Sequence, residues 1–190
     1  MTNSIETIKG DITHGAWANP ALKEILKTFG RDAFARSSAC MEFEAFLKRI
    51  NAGGNVCLEI GTFYGITAII LSQYFKRVIC VSLDVPGAKD KKYELVNHLG
   101  IKNIRFFDVA SNEDKAKLIN QLDFDFCYQD GDHTNDTYTD FELVKRCGRV
   151  LFHEYVPLQA PVWNLVNSLP KDEVTLSTFD WFAYWERKLR

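Results

Sequence analysis

The sequence predicts a doubly wound α/β fold: a mostly parallel, seven-stranded sheet with helices on both faces and a C-terminal antiparallel hairpin. Three observations carry the prediction. Five short apolar runs recur between residues 56 and 153, separated by segments of helical period. The first run ends in a sharp turn in which Gly61 and Gly65 stand four residues apart. Beyond residue 170 the alternation gives way to two runs rich in Val, Thr, Phe, Tyr and Trp that meet near Asp180.

Residues 1–18 have no clear period and read as an arm. Pro20 opens a helix through Leu22, Ile25, Leu26 and Phe29 that Gly30 closes. Met41 to Ile50 fits a second helix, ended by Asn51-Ala-Gly-Gly54. The strands follow at Val56–Ile60, Arg77–Leu83, Ile104–Phe107, Phe124–Tyr128 and Arg149–His153. Between and after them, helices are expected over Gly65–Phe75, Asp90–Leu99, Asn112–Leu122, Asn135–Cys147 and Ala160–Leu169. Glu173–Phe179 and Trp181–Arg187 form the expected hairpin.

A chain of 190 residues with 46% hydrophobic content can bury a sizeable core. We read one domain over 1–190, with an arm or cap at 1–40 and the core at 41–190. The net charge of −2 leaves no basic footprint for nucleic acid or an anionic membrane. Lys89, Lys91 and Lys92 read as a solvated helix start. No apolar stretch approaches the ~20 residues of a membrane span. No secretory signal is visible at the N-terminus, which points to a cytoplasmic location. Cys57, Cys80 and Cys127 lie inside apolar strands and read as small buried hydrophobes.

The chemistry concentrates at strand ends, where open α/β sheets bind ligands. Gly61 allows a tight turn and close approach to a ligand, and Gly65 close helix–strand packing. The free N–H groups opening the next helix suit a carboxylate. Glu59 would repel a pyrophosphate and favour an amine or a sulfonium-bearing amino acid. The turn is neither GxGxxG nor a phosphate loop. Asp84 ends strand two, placed to accept both hydroxyls of an adenosine ribose, and Asp108 ends strand three, placed to reach an adenine amino group. Strand four ends in Asp130-Gly-Asp132-His133 and strand five in His153-Glu154-Tyr155, two neighbouring mouths. Carboxylates with imidazole suit Mg²⁺ or Mn²⁺, which would lower the pKa of a bound hydroxyl while a histidine takes its proton. Asp132 or Thr134 is equally suited to cap the helix near Asn135. His14 falls in the arm, His98 reads as surface, and Trp163 as core or as pocket lining.

Glu59-Ile-Gly-Thr-Phe-Tyr-Gly65, with Asp84 and Asp108 at the next strand ends, resembles the class I S-adenosylmethionine-dependent methyltransferases. That resemblance implies a Rossmann-like fold and a cofactor held by Glu59, Gly61, Thr62, Tyr64, Gly65, Asp84 and Asp108. Asp130-Gly-Asp-His133 with Phe152-His-Glu-Tyr155 looks like the small-molecule O-methyltransferases related to macrocin O-methyltransferase and to cephalosporin hydroxylase-type proteins. It implies catalysis by His133 and Asp130 and a metal at Asp130, which Glu154 can join, with His153 either a substitute ligand or a group behind the ligands. Some relatives carry two adjacent acids where this chain has His153-Glu154. The expected partner is a small hydroxyl acceptor, a sugar or a phenol. A protein or nucleic-acid nitrogen acceptor, a non-catalytic cofactor-binding or assembly protein, and a hydroxylase-like enzyme stand as alternatives. The [DNS]-P-P-[YFW] motif of nucleic-acid amino methylation is absent.

Overall fold

The computed structural model describes residues 19–30, 41–132, 134–177 and 181–188. His14, His133 and the hairpin turn lie outside them. Along the chain come α1 (Pro20–Phe29), α2 (Met41–Arg49), β1 (Gly54–Ile60), α3 (Ile66–Leu71), β2 (Phe75–Leu83), α4 (Ala88–His98) and β3 (Ile104–Val109). They are followed by α5 (Asn112–Asn120), β4 (Phe126–Gln129), α6 (Asp136–Val144), β5 (Arg149–His153), α7 (Ala160–Ser168), β6 (Val174–Leu176) and β7 (Phe182–Glu186). The strands order as β3-β2-β1-β4-β5-β7-β6. β1 to β5 pair in parallel, and β7 runs antiparallel to β5 and β6. This is the Rossmann-like, mostly parallel sheet with a C-terminal hairpin that the sequence predicts.

Both faces of the sheet are covered, which is why its central strands read as continuous apolar runs. Alternate residues serve opposite cores. Cys57, Val78, Cys80 and Tyr128 meet α1 to α4 through Ile25, Phe43, Ile69 and Leu95. Leu58, Ile60, Val81 and Cys127 meet α5 to α7 through Ile119, Phe141, Val144 and Val162. The three strand cysteines are buried apolar groups, as expected, and burial pushes their thiols well above the usual range.

Helix ends follow local chemistry. The Asn19 side chain accepts from Ala21 N–H (3.0 Å), and Gly30 closes α1 at φ 72° with its N–H on Leu26 O. α3 stops at Leu71, short of the expected Phe75. The Asn103 side chain donates to Ser72 O (2.9 Å) and Phe75 O (3.1 Å), which satisfies carbonyls that a continuing helix would have used. Phe75 therefore opens β2.

The expected solvated lysine cluster is corrected at one residue. The Lys92 side chain is 1% exposed and pairs with Asp108 on β3. It lies with Ala88, Leu95 and Val96 on the buried side of α4, so its charge faces the sheet. A second buried pair joins α5 to α6. Lys115 Nζ lies 2.7 Å from Asp140 Oδ1, with side chains 7% and 1% exposed. Burial raises the Asp140 pKa, and Lys115 opposes that rise. Such a pair adds little net stability, but removing one partner strands the other charge. Lys115→Met should cost about 3–5 kcal/mol in urea unfolding, and Lys115→Met/Asp140→Leu should recover most of that loss.

Candidate active site

The site is built where β1 and β4 end side by side. Gly61 N–H donates to Val81 O (3.0 Å) and Asp130 N–H to Ile60 O (2.9 Å), carrying both ladders one residue past the strands. Gly61 has φ 89°, and a Cβ there would stand 2.0 Å from Asp130 O and 2.6 Å from Gly131 Cα. The glycine is thus required by the chain's own backbone. Gly65 has φ 78°, and its Cβ would meet Phe106 Cζ at 3.2 Å and Lys92 Cβ at 3.3 Å, the close packing anticipated.

Glu59 is fully buried, one strand register from Cys80 and Tyr128. Its carboxylate accepts from Thr62 Oγ1 (2.6 Å) and from Thr67 Oγ1, so it ties the glycine turn to the sheet at both ends. Burial raises its pKa, and the two hydroxyls only partly offset that. The acid expected to meet a ligand amine here meets the turn. Thr62 is buried on it, and Tyr64 packs its ring on Phe63 (4.1 Å).

Asp84 follows β2 directly and is exposed, its N–H on Val109 O (3.0 Å). Its carboxylate has no hydrogen bond or ion pair with the described residues. Asp108 differs from the expectation of a free acid aimed at adenine. Its Oδ1 accepts from Lys92 and from Ser82 Oγ (3.3 Å), because α4 delivers Lys92 to the same strand end.

Asp130 and His153 come together as expected from neighbouring strands, since Gln129 and Phe152 are register partners. His153 donates from Nδ1 to Asp130 Oδ1 (2.6 Å), and Tyr128 donates from its hydroxyl to Asp130 Oδ2 (3.1 Å). Burial opposes the imidazolium, but the Asp130 charge and hydrogen bond, with the Glu154 charge, outweigh it and raise the His153 pKa. Glu154 turns the chain out of β5 at φ 56°, a left-handed backbone that costs a non-glycine residue of order 1–3 kcal/mol.

The expected Mg²⁺ or Mn²⁺ site at Asp130, Glu154 and His153 does not fit this arrangement. Among the described residues no three His, Cys, Asp or Glu side chains converge as ligands. Asp130 and His153 face each other instead. With Nδ1 turned to Asp130, Nε2 points away from that carboxylate. His133, the expected base, is outside the described residues. Asp132 does not cap α6; Thr134 Oγ1 stands 3.5 Å from Asp136 N.

A cavity of about 210 Å³ opens beside these groups, lined among others by Gly61, Thr62, Ser82, Lys115, Asp130 and Asp132. Asp84 sits between two further lining residues, Leu83 and Val85. Lys115, Lys92 and Tyr128 are site residues that reading the sequence missed. Each lysine does fall on the apolar face of its helix, a signal that was available. Trp163 stacks on Tyr155 (4.6 Å), and His98 rests edge-on against Phe29 (5.1 Å) at the surface of α4.

No family model and no curated protein sequence matches the chain. Solved structures do match. An O-methyltransferase from Bacillus cereus, in complex with S-adenosylhomocysteine, aligns at TM-score 0.65 and 15% identity over 89% of this chain and 91% of that one. A Podospora anserina methyltransferase, also bound to S-adenosylhomocysteine, aligns at 0.65 and 14% over 99% and 98%. Precorrin 8w decarboxylase from Methanobacterium thermoautotrophicum aligns at 0.59 and 15% over 78% and 91%. The chain has the Rossmann-like methyltransferase fold. That fold also carries an enzyme named for decarboxylation, so the reaction has to be argued from the site.

Glu59 makes the turn sensitive to pH. Its folded pKa lies above the ordinary 4.5, so the unfolded chain loses this proton first. Stability from the neutral form is full below about pH 4.5 and falls as pH rises towards the folded pKa, at up to about 1.4 kcal/mol per pH unit. Glu59→Gln should remove that decline. Denaturant midpoints of both proteins from about pH 5 to about pH 8 would show it, and parallel curves would contradict it.

Proposed function

We propose that the protein is an S-adenosylmethionine-dependent methyltransferase acting on a hydroxyl of a small molecule, a sugar or a phenol, in the cytoplasm. The observation that carries this reading is the cavity at the ends of β1, β2 and β4, with Asp84, unpaired among the described residues, between two of its lining residues. The residues suit the cofactor chemically. A free carboxylate after β2 accepts from vicinal ribose hydroxyls, and the turn at Gly61 to Gly65 presents backbone where the amino-acid part would lie. When bound, the cofactor supplies a methyl group made electrophilic by its sulfonium.

The chain's own residues position the partner and move one proton. Asp84 holds the ribose end. Glu59, through Thr62 and Thr67, fixes the turn. The acceptor oxygen attacks in line while its proton passes to a base, the role we give His133 beside Asp130. The acceptor would approach from the face bearing Asp130, Tyr128 and His153, beside which α2 packs Phe43 on Tyr128 (5.0 Å) and Phe182 (5.3 Å). A net charge of −2 does not favour nucleic acid, and among the described residues no helix is long and apolar enough to cross a membrane.

Calorimetric titration with S-adenosylhomocysteine tests the reading. Micromolar binding is expected, weakened roughly tenfold to a hundredfold by Asp84→Ala, the loss of about 1.5–3 kcal/mol for a hydrogen bond to a charged group. No heat at millimolar ligand would overturn it. Binding without methyl transfer to any sugar or phenol would leave a cofactor-binding protein.

A further inference from the structure

The misfit between the expected metal site and the side chains that occupy it has a specific cause. Asp130 ends β4 and His153 ends β5, and the parallel register sets them side by side. Asp130 accepts from His153 on one oxygen and from Tyr128 on the other. The imidazole is held from its far side as well, lying 5.4 Å from the Phe182 ring and 6.3 Å from the Trp181 ring, the latter nearly parallel at 24°. The Asp130 and His153 side chains are 16% and 11% exposed, so little room is left for the water that Mg²⁺ usually keeps.

We infer that His153 takes the place of a divalent cation: its Nδ1–H fills the coordination direction of Asp130 that an ion would need, and the protein works without a bound metal. The inference takes its chemical meaning from the methyl-transfer reading, but its test does not depend on that reading. A hydrogen-bond donor fixed on Asp130 does part of what a cation would do. It holds the carboxylate in one orientation at the mouth and sets a donor group opposite the acceptor. His153 is accordingly a positioning residue, and replacing it should change what the site binds.

The test is Mn²⁺ binding to the chelator-treated full-length protein, followed by calorimetry and by the paramagnetic resonance of free Mn²⁺. Wild type should show no saturable binding below millimolar Mn²⁺. His153→Asp adds a carboxylate beside Asp130 and Glu154, a donor set that suits a hard cation. It should bind Mn²⁺ at least tenfold more tightly than wild type, and the added Asp130→Ala change should abolish the gain. His153→Asn, closer in size to histidine, is measured alongside, and the variant that keeps the wild-type circular dichroism spectrum decides. A gain confined to His153→Asp comes from the added acid, whereas a gain in His153→Asn, which adds none, comes from freeing Asp130. Micromolar Mn²⁺ binding by wild type that is lost in Asp130→Ala would overturn the inference, as would a folded variant with no gain. The same wild-type sample is titrated with S-adenosylhomocysteine. Absence of cofactor binding with the metal pattern intact would remove the function and leave the His153 assignment standing.

Discussion

The contact on which the site depends is backbone against backbone. Gly61, at φ 89°, passes so close to Asp130 and Gly131 that a single Cβ would collide with a carbonyl. No side chain can be inserted there without parting the ends of β1 and β4. This one approach fixes how far the glycine turn stands from the Asp130 loop, and hence the width of the cavity between them. It also brings Gly131 against Ile60 and Asp140, whose atoms a Cβ at Gly131 would meet at 3.2 and 3.4 Å. The three loops at this mouth are therefore one packed unit.

Charge is used in the same way around that mouth. Glu59 carries two hydroxyl donors, Asp108 a lysine, Asp130 an imidazole and a phenol, and Asp140 a lysine. Each acid sits near the end of a strand or on a helix behind it, and apart from Tyr128, which shares the β4 end with Asp130, the partners come from other elements. Buried charges of this kind contribute little net stability, yet they are costly to break, so they fix arrangement more than they hold the fold together. The apolar cores on the two sheet faces do that work. The polar groups decide which loop conformation the mouth keeps.

The sequence was legible where a signal is local or periodic. Pro20 and Gly30 bound α1 as read, and Arg149–His153 is β5 to the residue. The succession of elements follows from alternation and the C-terminal change of pattern. What periodicity reports is the face a residue occupies, and it says nothing of what stands opposite. Lys92 and Asp108 are 16 residues apart, and Lys115 and Asp140 are 25 apart. Lys92 was read as solvated and Asp108 as facing a ligand, while Lys115 and Asp140 were not singled out, because the pairing exists only after the helices dock. Asp130 and His153 were correctly brought together by neighbouring strands. Their relation was left open between a shared metal and a contact behind it, since a carboxylate and an imidazole at a shared mouth suit a metal and suit each other equally well until a distance is known.

That distinction bears on recognition. Three acids at successive strand ends suggested three contacts to one ligand, but two of them are already engaged within the chain. Burial raises the Glu59 pKa and two hydroxyls hold its carboxylate, and the Asp108 charge is balanced by Lys92. Asp84 alone among the three stands exposed with its carboxylate unbalanced by the described residues. A ligand entering the cavity therefore meets a mouth whose inner acids are paired and whose outer acid still lacks a donor. Hydroxyl groups can satisfy that acid, whereas a phosphate there would be repelled. Selectivity by charge thus rests at the rim, where Asp84 and the exposed Asp132 stand, while the paired interior sets shape.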